Sequence, residues 1–217
     1  MRVILLDNRD SFVYNLVDQF AVLGASIEVY RNTVEASTIL SALEPTGAEA
    51  AGSGRPMLCL SPGPGHPRTS GCLMELVHAA LERTIPTLGI CLGFQAIVEA
   101  AGGRVERVGP VHGRSVRAAL TGAGRTDAAF AALGQAGLDV ARYHSLGTRE
   151  LPGDLVCLAR TVQEDKPGVV GIVMAARHRR APMVGLQFHP ESLLTPQGPG
   201  ILRALTTDLT MTARPAS

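Results

Sequence analysis

"TLGICLGFQAIVEAAGG", residues 87–103, runs from an apolar strand-like segment through a cysteine into an amphipathic helix that ends on paired glycines. Cys91 stands at the junction, with Gly89 two residues before it and Gly93 two residues after. Strand, Gly-x-Cys-x-Gly and helix in that order describe a nucleophile elbow. Its bend is tight enough that the flanking residues must be small, and the central side chain is left at the C-terminal edge of a sheet. Phe94, Ile97, Val98 and Ala101 recur at helical spacing and predict a helix from Leu92 to Ala101. Cys91 then lies at the positive end of the helix dipole, which favours negative charge on the sulfur. A buried structural thiol ahead of a glycine-capped helix fits the same letters, so the elbow needs partners elsewhere in the chain.

Outward from the elbow, the first half alternates strand and helix. "RVILLD" and "SIEVYR" read as strands on either side of a helix carrying Phe12, Leu16, Phe20 and Leu23, with Gly24 as its stop. Residues 33–43 suit a short helix and "EPTGAEAAGSG" a surface connection. "RPMLCLS" is a strand that ends in "SPGPGHP", "SGCLMELVHAAL" is helical, and "IPTLGI" is the strand that enters the elbow. Such alternation implies a parallel sheet with helices on both faces. After Gly103 six strand candidates follow with few helices: "RVERV", "RSVRAAL", "LDVARYH", "LVCLARTV", "VVGIVMAARH" and "PMVGLQFH". Antiparallel additions to the sheet fit these better than further βαβ units. Residues 122–137 read as a loop with one helical turn around "DAAFAAL", and "QGPGILRALTTDLTM" as the last helix. The expectation is one α/β domain over residues 1–211 with a mixed, mostly parallel sheet, and a frayed tail at 212–217.

Composition narrows the functions. With 217 residues and 46% hydrophobic content the chain can bury one sizeable core. A net charge of +1 offers no electrostatic footprint for nucleic acid or an anionic membrane, and 4% aromatic content without Trp leaves no base-stacking platform. A strand beginning at residue 2 or 3 leaves no room for a secretory signal, and no apolar run reaches the length of a membrane span. Cys59, Cys72, Cys91 and Cys157 lack CxxC spacing, which suits reduced thiols in a cytoplasmic protein rather than a disulfide frame or metal site.

A nucleophile requires a base, and the chain has six histidines: His66, His78, His112, His144, His178 and His189. His78 lies within a helix and His178 in an "RHRR" turn, so both read as surface residues. His189 closes the apolar strand of "MVGLQFHPES" and is followed by Pro190 and Glu191. Proline pushes the residue before it toward β geometry, and in an extended segment residues two apart project to one side. Glu191 is thereby expected to reach the His189 ring, completing a Cys–His–Glu arrangement with the logic of Ser–His–Asp. An acyl-transfer intermediate also needs oxyanion donors. The Leu92 N–H just after the nucleophile is one, and the glycines of "SPGPG" (61–65) let backbone approach a ligand closely at the same sheet edge.

Taken together, "LLDNRDSFVYNL", "SPGPG", "GICLGFQAI", "VHGR", "RYHSL" and "GLQFHPESLLT" resemble the class I, triad-type glutamine amidotransferases over almost the whole chain. The nearer likeness is to the glutaminase subunits of anthranilate synthase and aminodeoxychorismate synthase. "YRN" and "AIVEAAGG" lean to the former. The resemblance implies a flavodoxin-like domain with Cys91 as nucleophile, His189 as base and Glu191 as its orienting partner. It further implies glutamine contacts from Gly63, Pro64, Gly65 and Gln95, and from the backbone of Ser145 and Leu146. L-glutamine would be the substrate and ammonia would pass to a chorismate-binding synthase subunit. No cofactor or metal is implied in this subunit, whereas the synthase partner would use Mg. Arg9, Phe94 and Arg114 depart from the family pattern, and the two arginines bear on which synthase is served. The alternatives are a secondary-metabolism homologue, a cysteine-nucleophile α/β-hydrolase and a non-catalytic, amidotransferase-like binding subunit. In the α/β-hydrolases the acid precedes the histidine, whereas here it follows two residues later.

Overall fold

The computed structural model describes residues 1–51, 54–109, 113–133, 137–162 and 170–211. His112, the 134–136 part of the predicted loop and the 212–217 tail lie outside these residues. In chain order the strands are β1 (Arg2–Asp7), β2 (Ser26–Arg31), β3 (Met57–Leu60), β4 (Thr87–Ile90), β5 (Glu106–Arg107), β6 (Arg114–Leu120), β7 (Leu138–Arg142), β8 (Leu146–Gly147), β9 (Leu155–Thr161), β10 (Val173–His178) and β11 (Met183–Leu186). The helices are α1 (Val13–Val22), α2 (Ala36–Ala42), α3 (Gly47–Ala51), α4 (Leu73–Glu82), α5 (Leu92–Ala100), α6 (Gly122–Thr126) and α7 (Gly198–Met211).

Nine strands form one sheet in the order β2-β1-β3-β4-β11-β10-β9-β6-β7. The pairings from β2 through to β11 are parallel and those from β11 through to β7 antiparallel. Following direction across the ladder, only β10 and β6 oppose the rest, so the sheet is mixed and mostly parallel, as the sequence implied. Side chains alternate across it. Val3 and Leu5 of β1 join one core with Phe20 of α1 and Leu205 of α7, while Ile4 and Leu6 join another with Ile39 of α2, Leu76 of α4 and Ile97 of α5. That two-sided burial explains why β1, β3 and β4 read as unbroken apolar runs. On the antiparallel side, Arg177 of β10 bonds Asp127 through Nε (2.6 Å) and Asp208 of α7 through Nη1 (2.7 Å), fastening α7 to the sheet.

Three expectations need correction. Of "RVERV" only Glu106–Arg107 is strand, and it pairs with β8 apart from the main sheet. The connection at 44–54 contains α3, begun by a capping box that the glycine- and alanine-rich composition obscured. The Thr46 hydroxyl accepts from Glu49 N (3.3 Å) and the Glu49 carboxylate accepts from Thr46 N (2.8 Å). Within 122–137, α6 precedes the 3₁₀ turn Ala131–Leu133, and the Thr121 hydroxyl caps α6 by accepting from Gly124 N.

The elbow depends on two close backbone approaches. A Cβ on Gly89 would lie 2.6 Å from the Gly93 carbonyl carbon, and one on Gly93 would overlap the Leu60 carbonyl oxygen of β3. Neither obstacle is a flexible side chain, so neither can swing away. Gly47, by contrast, has nothing within 4 Å of such a Cβ. Gly93→Ala should therefore destabilise the fold by about 1–3 kcal/mol, while Gly47→Ala should be neutral or raise stability by about 0.4–1 kcal/mol. Urea unfolding of both variants checks the contrast.

Candidate active site

β4 delivers Cys91 into the elbow at φ 51° and ψ −97°, with its N–H donated to the Leu186 carbonyl of β11 at 2.7 Å. β4 and β11 are neighbours, so the chain leaving β11 emerges beside the cysteine. β11 stops at Leu186 instead of running on to His189. The His–Glu contact is present, but a turn makes it: Ser192 N donates to the His189 carbonyl at 3.3 Å, with Pro190 at the second position where proline is favoured. His189 Nδ1 lies 2.7 Å from Glu191 Oε1, and both residues are buried.

Thr195 fixes that turn. Its hydroxyl donates to the His189 carbonyl (2.8 Å) and accepts from Ala141 N at the end of β7 (2.9 Å). Gly198, at the start of α7, leaves room for the Pro190 carbonyl, which a Cβ would strike. The rings of Phe12 and Tyr143 stand edge-on to the His189 ring at centroid distances of 5.9 and 5.0 Å, and Tyr143 Oη pairs with Ser192 Oγ at 3.2 Å. None of these positions is expected at the site from the sequence. Phe12, Tyr143, Ser192 and Thr195 lie within motifs quoted for the resemblance, yet nothing in their spacing announces contact with the histidine.

Electrostatics separate two buried histidines. Burial pulls the His189 pKa down, but hydrogen bonding and charge from Cys91 and Glu191 outweigh it and push the value up to about 10. Nε2 of that ring meets no partner at full hydrogen-bond geometry, so the Cys91 contact that raises its pKa is loosely aligned, as in resting sites. His144 goes the other way. Burial and the Arg142 charge lower its pKa to about 3, although Nδ1 bonds the Leu146 carbonyl at 2.6 Å. Burial also raises the pKa of Asp10, ahead of α1.

The expected glutamine contacts converge on the same edge. Leu92 opens α5, where first-turn N–H groups have no helical carbonyl to meet. A Cβ on Gly63 would come within 2.6 Å of the Asn8 carbonyl oxygen and 2.9 Å of the Leu92 side chain, so the "SPGPG" loop is pressed against the elbow. Ser61 anchors it by accepting from Asn8 N (2.9 Å) and Asn8 Nδ2 (3.0 Å), leaving Pro64 and Gly65 exposed. Pro64 has no N–H, so donation from this loop rests with the glycines. Gln95 Nε2 donates to the Leu146 carbonyl at 3.0 Å, and Gln95 Oε1 is buried without a partner, an acceptor aimed at no protein group. The Ser145 carbonyl accepts from Val108 N at 2.9 Å. That oxygen and Leu146's are therefore both engaged inside the protein.

The three departures fall outside this cluster. Phe94 fills the space over Gly185 and is fully buried, which makes it a packing residue beneath the elbow. Arg9 is exposed at φ 63° and Arg114 is exposed at the start of β6. Among the described residues no group of three or more His, Cys, Asp or Glu is placed to hold a metal, and no helix is long and apolar enough to cross a membrane.

Residues 4–209 match the family of class-I glutamine amidotransferases. The chain belongs to that family. Among curated relatives it is 44% identical over 211 residues to anthranilate synthase component 2 of Corynebacterium glutamicum, covering 92% of this chain and 94% of that one. It is 45% identical over 204 residues to the pyocyanine-specific anthranilate synthase component 2 of Pseudomonas aeruginosa, covering 93% and 91%. Among solved structures, a putative GMP synthase subunit from Thermoplasma acidophilum superposes with TM-score 0.77 at 21% identity, over 96% of this chain and 94% of that one. A glutamine amidotransferase from Thermotoga maritima gives TM-score 0.68 at 18% identity, over 96% and 97%. These two likenesses bear on the fold alone.

The opposite histidine shifts give a direct test. Nitrogen-15 imidazole NMR at neutral pH should show His189 charged and His144 neutral. Because the folded value of His189 lies above its ordinary 6.5, its stabilising contribution is complete below that pH and is lost as pH rises through about 10. His189→Gln should therefore flatten the alkaline fall in thermal stability. A His189 resonance titrating near 6.5 would contradict the assignment.

Proposed function

We propose that this chain is the glutaminase subunit of an anthranilate-synthase-type amidotransferase, hydrolysing L-glutamine and passing ammonia to a chorismate-binding synthase subunit. One observation carries the reading: Cys91 on its elbow and the hydrogen-bonded His189–Glu191 pair lie just beyond the C-terminal ends of the adjacent strands β4 and β11, at one sheet edge. In this mechanism the Cys91 thiolate attacks the glutamine carboxamide carbon, and the oxyanion is met by the N–H groups of Leu92 and the Gly63–Gly65 loop. His189, charged through Glu191, gives its Nε2 proton to the departing nitrogen as ammonia leaves. Water then attacks the glutamyl thioester with His189 as base, releasing glutamate and restoring the thiolate. Every step uses side chains and backbone of this chain, with neither metal nor organic cofactor in the subunit. Mg belongs to the synthase partner in this proposal.

Ammonia is largely protonated in neutral water and then has no lone pair for attack, so direct delivery to a partner gives the hydrolysis its use. The names of the relatives support anthranilate as the product of the assembled enzyme. Two of them at almost equal identity bear it, and one is marked pyocyanine specific.

Cys91→Ser should abolish glutamine-dependent synthesis in the assembled complex and leave synthesis from added ammonium salt largely intact. Ammonia bypasses the thioester yet still meets a folded partner. Equal loss of both activities would assign Cys91 to structure or interface instead.

His189→Ala should cost more than Glu191→Ala. The histidine carries the proton, a role worth roughly 10²–10⁴ in rate, whereas the glutamate orients and stabilises it. Glutamate release by both folded variants, compared under saturating glutamine, ranks them. A glutamate variant as inactive as the histidine variant would overturn the ranking.

A further inference from the structure

We propose that Gln187 is a positioning residue whose amide N–H is held against the Cys91 sulfur, in an orientation dictated by the Leu146 carbonyl through Gln95. The inference rests on the glutaminase reading and adds a residue to that site. Gln187 is fully buried. Its Nε2 lies 3.7 Å from Cys91 Sγ, and its Oε1 accepts from Gln95 Nε2 at 3.3 Å.

Amide orientation is settled here by a chain of obligations. A backbone carbonyl can only accept, so Gln95 must turn its NH₂ toward Leu146 O, 3.0 Å away. That same NH₂ reaches Gln187, which must answer with its oxygen. Only the Gln187 NH₂ is then left for the sulfur. The reverse orientation sets oxygen against a thiolate and NH₂ against NH₂, losing both bonds. His144 Nδ1, donating to the same Leu146 oxygen at 2.6 Å, adds a second donor that holds this carbonyl in its role. Gln187 itself is pinned by its backbone, which donates to the Met174 carbonyl of β10 at 2.8 Å.

Hydrogen bonds to an ionised acceptor are roughly twice as strong as neutral ones. The Gln187 bond is therefore strongest while the sulfur carries charge and weakens once the thioester forms. It supports the thiolate before attack and again as glutamate departs. It also joins the substrate-facing Gln95, whose Oε1 is unpartnered, to the nucleophile in one network.

Gln187→Met removes both bonds at similar volume. Gln187→Glu keeps an acceptor for Gln95 but sets a carboxylate against the sulfur. In the complex with its synthase partner, inactivation of Cys91 by iodoacetamide should slow roughly tenfold at neutral pH for Gln187→Met, as loss of a hydrogen bond to a charged group implies, and further for Gln187→Glu. The acid limb of that inactivation profile should move to higher pH, and glutamine turnover should fall in kcat more than it rises in KM. The titratable groups bearing on the profile are His189 and Glu191 after β11, Asp10 ahead of α1 and His144 beyond β7. Profiles that overlay the unsubstituted protein in variants with unchanged melting, or an effect confined to KM, would overturn the proposal. Should either variant melt early, the unaltered protein decides. Alkylating Cys91 should shift the Gln187 side-chain amide resonances in NMR, and unmoved resonances overturn the proposal. Absence of glutamine hydrolysis in the unsubstituted complex would instead remove the glutaminase reading itself.

Discussion

Cys91 sits at φ 51° and ψ −97°, a backbone conformation that a residue with a side chain enters only when its surroundings force it, at a cost of about 1–3 kcal/mol. Three things hold it there. Its N–H is tied to β11, the Gln95 N–H is tied to its carbonyl, and the two flanking glycines let β3, β4 and α5 close to distances that no Cβ would permit. Cys91 stays buried at the edge of the core that holds Ile90, while Leu92 packs into the core on the other face. Cys59, of the same chemistry but in regular strand geometry, is fully buried, and its thiol is pushed far up by desolvation. Backbone geometry, more than residue type, sets Cys91 apart from Cys59.

Around that point the site gathers buried polar atoms without partners: Nε2 of His189 and His144, Oε1 of Gln95, Oε2 of Glu191. Each carries a desolvation cost of about 1–3 kcal/mol, which a purely structural cluster would have shed. The concentration beside one elbow is what a polar substrate would relieve.

Much of this was legible in the letters. The Gly-x-Cys-x-Gly junction placed Cys91, and the unbroken apolar runs of β1, β3 and β4 signalled strands covered on both faces. The His–Glu contact was read correctly, but by way of an extended strand that does not exist. Proline restricts its predecessor whether the chain runs straight or turns, so the sequence alone did not choose. Gln187 and Thr195 escaped notice because their partners, Cys91 and Ala141, are far away in sequence and meet them only through strand pairing. Tyr143 and Phe12 were invisible for the same reason. Local spacing encodes elbows, caps and turns; the contacts that finish a site across a sheet are encoded only in which strands become neighbours.

The neighbour relation between β4 and β11 has a temporal side. Cys91, its elbow and the SPGPG loop all belong to the first half of the chain, whereas His189, Glu191 and the Thr195 that pins their turn come between residues 189 and 195. Pairing over that separation is slow and late in folding. During synthesis on the ribosome, a growing chain carries Cys91 for nearly half its length before His189 is made. On the proposed mechanism, glutamine in the surrounding solution is safe from such a fragment. Among the described residues β11 is the last strand, and the proposed triad is complete only once the chain just beyond it has been made.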